Sequence, residues 1–310
     1  MLSARVLIST DIERAVEVIR TGGLVAMPTE TVYGLAADAT NPDAVRRIFA
    51  VKGRPADHPL IVHLGAPDQL SRWVSSFPVA ARRLTEAAWP GPLTIILPRA
   101  NGVLDVVTGG LDTVGVRIPA HALAAALLER VGVGLAAPSA NRFGAVSPTN
   151  AEHVLHDLGD FLDPARDLIL DGGECTIGVE STIVDFASAP PQILRAGGVA
   201  VEDIRRLLDG AVADASGPSR ASGMLPSHYA PNCTVRLVDH ADDALALRAG
   251  TPNSEILDLT DDLVVYAHDL YARLRDADAR GIGTVIAVLP PPIGLGYAIR
   301  DRLAKAAAPR

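Results

Sequence analysis

The sequence predicts an α+β domain built on a twisted mixed sheet with helices, followed by a small α/β domain of the Rossmann-like kind. Three observations support this prediction. Short apolar runs typical of buried strands are interspersed with helical patterns through the first part of the chain, without a strict strand–helix–strand repeat. Residues 210–232 are then rich in Ala, Ser, Gly and Pro, which is a linker composition. Beyond this segment, three strand-like runs are separated by helical segments, as in a parallel sheet.

Length and composition set the broad class of protein. The chain has 310 residues, of which 48% are hydrophobic, enough for two domains that we place at 1–209 and 233–310. A formal net charge of −8 gives no support to a polyanion-binding protein. Cys175 and Cys233 show neither a pairing pattern nor metal-ligand spacing, and the N-terminal residues lack a signal-peptide core. We therefore expect a cytoplasmic protein without membrane segments.

The first elements follow from caps and periodicity. Thr10 and Glu13 predict a capping box for a first helix, which ends at the glycine pair 22–23. A short apolar strand at 24–27 then leads into residues 28–39, where small and hydroxylated side chains gather. Functional sites commonly form where a strand ends in such a turn.

The next stretch combines basic residues with a buried strand. A helix predicted from Asn41 leads to Lys52 and Arg54, which we interpret as two cations presented by a short polar loop bounded by Gly and Pro. Residues 60–62 then predict a buried strand, and His63 interrupts its apolar pattern. A solvated turn and a silent core histidine are the structural alternative for this stretch.

The remaining elements are predicted in the same way, and the last helix shows no obvious chemistry. They are a helix over 78–88, a turn and strand over 89–97, a strand over 114–119, a helix ending at Arg130, a strand over 135–137, a helix capped by 147–149, strands over 168–170, 181–186 and 192–195, and then strands over 234–238, 255–259 and 284–289 with helices over 263–279 and 297–308.

Basic and hydroxylated residues recur beside the turns of the first domain. The cations are Lys52, Arg54, Arg117 and Arg195, and the hydroxyls are Thr29, Thr31, Ser139, Ser147, Ser181 and Thr182. Guanidinium groups bind phosphate or carboxylate through two parallel hydrogen bonds, so this inventory suits a substrate with several anionic groups. The sequence has no Walker pattern, no convincing glycine-rich dinucleotide loop, no Ser-His-Asp order and no metal-ligand spacing.

Eight ordered sequence blocks carry a resemblance to a known family. The sequence is similar to the YrdC-like family of threonylcarbamoyl-AMP synthases, in its longer two-domain form with an SHYAP segment. The blocks are PTETVYGL, KGRPADHPLIVHL, WPGPLT, VGVRIP, PSAN, SPT, ESTIVD and LRAGG, which begin at residues 28, 52, 89, 114, 138, 147, 180 and 194.

The resemblance implies a reaction and its participants. L-Threonine, bicarbonate and ATP, the last with Mg²⁺, would give L-threonylcarbamoyl-adenylate and pyrophosphate, and other proteins would transfer the product to tRNA. The implied threonine-site residues are Thr31, His63, Arg117, Ala137 and Ser181. The implied ATP-site residues are Lys52, Arg54, His58, Thr113, Ser139, Asn141, Ser147, Arg195 and Tyr229, of which Lys52 and Arg54 would also be catalytic. His58 departs from the family, where an Asn is common, and no general base is indicated.

Two other functions remain open, and the first of them is suggested by the resemblance to this family. One is an RNA-binding module with a basic concave face, which the negative net charge disfavours. The other is a carbamoyl-adenylate enzyme for a different acceptor, for which a carboxylate-binding Arg117 would have no purpose. We also expect residues 222–231 to fold over the site as a lid, because a passive linker would have no use for them. Met224, Leu225 and Tyr229 offer apolar contact, and His228 offers a hydrogen bond.

Overall fold

The structure, a computed structural model, describes residues 6–217 and 228–309. In these residues, fourteen strands form one large mixed sheet and one small parallel sheet. The strands are β1 (Leu7–Ser9), β2 (Val25–Met27), β3 (Gly34–Asp38), β4 (Ile61–His63), β5 (Leu93–Pro98), β6 (Thr113–Arg117), β7 (Leu135–Ala136), β8 (Leu168–Leu170), β9 (Thr182–Asp185), β10 (Gln192–Arg195), β11 (Ala213–Asp214), β12 (Thr234–Val238), β13 (Ser254–Leu257) and β14 (Thr284–Val288).

Ten α-helices accompany these strands within the described ranges, together with a 3₁₀ helix at Pro67–Arg72. They are α1 (Ile12–Arg20), α2 (Pro42–Lys52), α3 (Val79–Ala88), α4 (Asp105–Thr108), α5 (Ala122–Val131), α6 (Ala151–Leu158), α7 (Val201–Leu207), α8 (Ala241–Ala249), α9 (Leu263–Ala279) and α10 (Gly296–Ala307). Between 6 and 217 and between 228 and 309, no helix is long and apolar enough to span a membrane.

The large sheet has eleven strands in the order β1-β8-β2-β3-β7-β4-β6-β5-β9-β10-β11, and it mixes parallel with antiparallel pairs. The three-stranded sheet has the order β12-β14-β13, and both of its pairs are parallel. These two sheets confirm the predicted fold class. In the large sheet, β4 and β6 run parallel with His63 opposite Arg117, so this register brings two predicted site residues together.

Apolar residues pack on both faces of the large sheet. Helices α1 and α5 cover one face with residues such as Ile19 and Leu127, while α2 contributes Val45 and Ile48 to the main core. A second core extends across the two domains. It unites the buried residues of α9 and α10 with three residues that precede the linker, Val32, Val146 and Val179. The small domain is thus packed directly against the large one.

Two of the predicted helix caps are wrong. Asp11, not Thr10, caps α1, because its carboxylate accepts hydrogen bonds from the backbone N–H groups of Glu13 and Arg14 at 3.0 and 3.2 Å. The predicted cap at 147–149 is replaced by Asn150, whose side chain accepts from a backbone N–H of α6. The predicted start of α2 is confirmed: Asn41 caps it.

The interpretation of Lys52 and Arg54 as a solvent-facing basic loop is also wrong. Lys52 is the last residue of α2, and the helix ends at Gly53 in the left-handed region with φ of +63°. Lys52 is only 2% exposed and Arg54 8% exposed. Both cations therefore point into the protein, where they need hydrogen-bond partners or an anionic ligand.

The predicted lid is described only in part. Residues 222–227, including Met224 and Leu225, lie outside the described residues. His228 and Tyr229 are both buried, and Ala230 donates its backbone N–H to the Gly144 carbonyl at 2.9 Å. The end of the SHYAP segment is therefore packed against the folded chain.

Candidate functional site

A cleft lies where the ends of several strands of the large sheet meet the SHYAP segment. Its empty volume is about 560 Å³, including the open mouth. The walls combine cations, hydroxyls and apolar groups, which is the usual make-up of a small-molecule site. The lining residues are Thr29, Thr31, Val32, Gly34, Arg54, Ile61, His63, Arg117, Ala137, Pro138, Ser139, Glu180, Ser181, Arg195, His228 and Tyr229.

Arg117 is held in one wall of the cleft by two hydrogen bonds and one ion pair. Its Nη1 donates to the Thr31 hydroxyl at 2.9 Å, and its Nε donates to the Gly91 carbonyl at 3.2 Å. Its Nη2 lies 2.8 Å from a carboxylate oxygen of Glu30. A guanidinium group has five N–H donors. These contacts orient the group and leave donors for a carboxylate in the cleft.

His63 lies beside Arg117 on the neighbouring strand and is 4% exposed. Burial and the neighbouring Arg117 lower the pKa of His63 to about 3. The imidazole is therefore neutral near pH 7. One of its two ring nitrogens carries a proton and the other is an acceptor.

Lys52 is buried next to the lining of the cleft and is not itself a lining residue. Its ammonium group donates to the carbonyls of Ser139 and Asn141 at 2.6 and 2.5 Å. Burial and the neighbouring Arg54 hold the pKa of Lys52 well below its ordinary value. Lys52 thus fixes the PSAN turn, whose Ser139 lines the cleft.

Arg195 and Ser181 form the opposite wall. Arg195 donates from Nε and Nη2 to the Ser181 carbonyl at 3.1 and 2.9 Å, and Nη2 also contacts the Ser181 hydroxyl at 3.1 Å. Thr94 shares a 2.8 Å hydrogen bond with the same hydroxyl. Gly197 allows this close packing, because a Cβ there would lie 2.2 Å from the Glu180 carbonyl oxygen.

The side chain of Glu180 is bound from both domains. Ser147 donates to it at 2.7 Å, and the hydroxyl of Tyr271 in α9 donates at 2.8 Å. Arg302 in α10 donates from Nε at 2.7 Å. Burial alone would raise the pKa of Glu180, but Arg302, Arg195 and the Ser147 hydrogen bond hold it down at about 2.

Four rings pack in a row beside the cleft, and two of them, His228 and Tyr229, line it. His228 packs edge-on against Tyr229 at 4.2 Å between ring centroids, and Phe143 packs against both His228 and His58 at 6.0 and 5.4 Å. The Arg54 guanidinium lies 5.6 Å from the centre of the Phe143 ring. These flat, partly polar surfaces are suited to stacking with a planar base.

Two family models match the chain in sequence. The Sua5/YciO/YrdC model, described as "Telomere recombination", matches residues 17–197, and the model described as "Threonylcarbamoyl-AMP synthase, C-terminal domain" matches residues 199–308. The curated threonylcarbamoyl-AMP synthase of Pyrococcus abyssi is 39% identical over 94% of this chain and 92% of its own length. The chain belongs to the threonylcarbamoyl-AMP synthase family.

Other relatives agree with this membership. The Bacillus subtilis threonylcarbamoyl-AMP synthase is 38% identical over 96% of this chain and 93% of its own length. Among solved structures, P. abyssi Sua5 complexed with L-threonine superposes with a TM-score of 0.88 at 39% identity. That match covers 96% of this chain and 94% of the Sua5 chain. The predicted family and the two-domain form are confirmed.

Most of the residues predicted for this synthase site meet at the cleft. Nine of these residues line the cleft, and three others lie directly behind the lining residues. The lining residues are Thr31, Arg54, His63, Arg117, Ala137, Ser139, Ser181, Arg195 and Tyr229, and the supporting residues are Lys52, Asn141 and Ser147. His58 is half-buried beside Phe143 and is not among the lining residues. Thr113 is set apart: it begins β6, at the end away from Arg117, and is not among the lining residues.

Four residues of the cleft and its surroundings were not predicted from the sequence: Glu30, Glu180, Tyr271 and Arg302. His228, predicted only as part of the lid, also lines the cleft. Glu180 could have been predicted from the sequence, because a lone carboxylate directly before a buried strand needs a partner. Arg302 could not be predicted, because its helix shows no distinctive sequence pattern.

The residues of the cleft offer little to a metal ion. In the ranges 6–217 and 228–309, no three His, Cys, Asp or Glu side chains gather as a metal site. Glu180, which lines the cleft, is paired with Arg302, and Glu30 is paired with Arg117. The described residues of the cleft therefore form no cluster of metal ligands.

Proposed function

We propose that this cleft converts L-threonine, bicarbonate and ATP into L-threonylcarbamoyl-adenylate and pyrophosphate. The observation that carries the proposal is the distribution of charge. Arg117, with Thr31 and neutral His63, forms a small carboxylate-binding corner, while Arg54 and Arg195 line the same cleft and Lys52 braces it. One cavity thus holds a place for an amino acid beside a place for phosphates.

The proposed chemistry has two bond-forming steps. The threonine amine attacks the carbon of bicarbonate, and water leaves to give a carbamate. A carbamate oxygen then attacks the α-phosphorus of ATP, and the bond from that phosphorus to the β-phosphate oxygen breaks to release pyrophosphate. Proximity of bound reactants can contribute ~7–11 kcal/mol to such a reaction.

The protein's residues would act mainly by binding and orientation. Arg117 holds the threonine carboxylate, and a neutral His63 can accept a hydrogen bond from the substrate amine or hydroxyl without adding charge. Arg54 and Arg195 stabilise the charge that develops as pyrophosphate leaves. We propose that Mg²⁺ arrives on the ATP phosphates and shields their charge, with the nucleotide and water as its ligands.

Omitting each substrate in turn tests the reaction. We expect pyrophosphate release only with L-threonine, bicarbonate and ATP together, and mass spectrometry should find the adenylate. Full release without threonine would contradict the proposal. L-Threoninol, which has the amine and hydroxyl but no carboxylate, is the matched control. Release supported by threoninol would favour a carbamoyl-adenylate enzyme for another acceptor.

Direct binding of tRNA is the second candidate function. The net charge of −8 disfavours it, and we propose that other proteins transfer the threonylcarbamoyl group to tRNA in the cytoplasm. Filter binding against tRNA at increasing salt tests this point. We expect weak binding, whereas tight binding with a steep salt dependence would support an RNA-binding module.

A further inference from the structure

We propose that Tyr271 and Arg302 of the small domain are positioning residues for the ATP side of the cleft, acting through the carboxylate of Glu180. The inference rests on the proposed function, because it assigns Ser147 and Arg195 to ATP. Nothing in the family resemblance gave either residue a role. Both belong to the domain that does not line the cleft, so their effect must be transmitted by Glu180.

The geometry makes Glu180 the junction between the two domains. Its Oε1 accepts from Ser147, its Oε2 accepts from Arg302, and the Tyr271 hydroxyl lies 3.0 and 2.8 Å from the two oxygens. Glu180 itself lines the cleft. Its chain neighbour Ser181 accepts from Arg195. The orientation of one carboxylate therefore affects two parts of the predicted ATP site.

Burial makes these contacts energetically significant. Glu180 is 6% exposed, Arg302 is 1% exposed and Tyr271 is fully buried. A buried carboxylate that loses its partners costs far more than an exposed one, because water cannot replace the missing hydrogen bonds. We therefore expect Glu180 to shift toward other donors when either partner is removed. Such a shift would move Ser147 and the start of β9.

Helix α9 also contacts the backbone of the large domain. Arg275 of α9 donates to the carbonyls of Val146 and Ser147, and it pairs with Asp157 in α6. Gly178 approaches α9 so closely that a Cβ there would lie 2.4 Å from the His268 carbonyl oxygen. These contacts fix the two domains relative to each other. The charged network around Glu180 therefore lies between two parts of the protein that are held rigidly.

Tyr229 links the network to the lining of the cleft. The Arg302 guanidinium lies 5.2 Å from the centre of the Tyr229 ring. The ring centroids of Tyr229 and Tyr271 are 5.7 Å apart. Tyr229 is 1% exposed and has a positive φ of 60°, a conformation that packing must maintain. The two positioning residues thus also support the described end of the SHYAP segment.

Tyr271→Phe is the primary test, because it removes only the hydroxyl that contacts Glu180. Tyr266→Phe is its matched control: Tyr266 is buried in the same helix, but its hydroxyl donates at 2.9 Å to the Val288 carbonyl inside the small domain. ATP affinity is measured by calorimetry on the full chain, and KM and kcat are measured by pyrophosphate release.

We expect Tyr271→Phe to weaken ATP binding about tenfold, with KM for ATP rising similarly and kcat nearly unchanged. Tyr266→Phe should leave ATP affinity unchanged. Arg302→Met should weaken ATP binding by about 10- to 100-fold, and Arg302→Lys should restore part of it because the positive charge returns. The double variant Glu180→Gln with Arg302→Met should bind ATP better than Arg302→Met alone, since no buried charge is then unpaired.

Equal ATP affinity in Tyr271→Phe and Tyr266→Phe would overturn the inference. If Arg302→Met does not fold, this comparison of the two Phe variants decides the question by itself. A wild-type protein that binds ATP but releases no pyrophosphate would contradict the proposed function alone, because calorimetry still measures the effect of Tyr271. The two failures are therefore distinguishable.

Discussion

Arg117 and Glu30 form an ion pair inside the large domain, with 2.8 Å between Nη2 and Oε1 and both side chains 5% exposed. The pair explains how an arginine can be held ready in an apolar wall before a substrate carboxylate arrives. Burying an arginine alone would be costly, and Glu30 compensates its charge. The bound substrate would then share the guanidinium with Glu30.

Arg117→Lys should weaken threonine binding with little change in ATP binding. A lysine is a point charge and cannot reproduce the contacts to Glu30, Thr31 and a ligand carboxylate at once. We expect a loss on the order of 1.5–3 kcal/mol in threonine binding. Threonine KM from pyrophosphate release measures it, with Arg83→Lys on the surface as control. An unchanged threonine KM would rule out the carboxylate-binding role.

Lys52→Ala should lower both turnover and stability. Removing the ammonium group leaves the buried carbonyls of Ser139 and Asn141 without their donor, at a cost of ~1–3 kcal/mol. Lys52→Met keeps most of the aliphatic stem, so it separates loss of the charge from loss of packing. Urea unfolding and pyrophosphate release are measured on both variants. Full stability in Lys52→Ala would show that these two hydrogen bonds contribute nothing.

Mild acid should destabilise the protein through its buried histidines. The pKa values of His63 and His228 are both lowered to about 3, so the unfolded chain binds more protons than the folded one between pH 3 and 6.5. Stability therefore falls as pH decreases from 6.5, by up to ~1.4 kcal/mol per pH unit for each group.

His63→Gln tests this pH dependence. Between pH 7.5 and 5.5 it should lose ~1 kcal/mol less of its free energy of unfolding than the wild type. His240→Gln, at an exposed position, is the control and should follow the wild type. Parallel stability curves for His63→Gln and the wild type would contradict a neutral, buried His63.

Tyr229→Ala should weaken ATP binding and shorten the lifetime of the adenylate product. The ring lines the cleft and packs against His228, so its loss would admit water to the site. Tyr229→Phe keeps the ring and is the matched control. Product decay followed by mass spectrometry checks the prediction. Equal decay rates in Tyr229→Ala and the wild type would leave the SHYAP segment as a connector only.

Local patterns were sufficient for most elements of the fold. Strand Gln192–Arg195 and helix Leu263–Ala279 have the predicted bounds, because apolar periodicity is a local property of the sequence. Helix caps were less predictable. Thr10 and Asp11 are both good capping residues, and the backbone conformation selected Asp11.

The location of the charged groups was harder to predict. Lys52 and Arg54 are polar residues beside a glycine and a proline, a pattern typical of an exposed loop. The structure instead buries both, because the end of α2 packs beneath the PSAN turn and supplies carbonyl acceptors for Lys52. Burial of a charge depends on partners that are distant in the sequence, here 87 and 89 residues away.

The sequence by itself determined the fold class, the family and most of the cleft, because its strand ends carry the hydroxyls and cations in recognisable blocks. Only the tertiary structure could place Tyr271 and Arg302 on Glu180, from 91 and 122 residues away. Neither residue stands in a distinctive pattern, since each looks like an ordinary member of an amphipathic helix. Their partner is set by how the small domain docks on the large one, and docking is a property of packed surfaces rather than of local sequence.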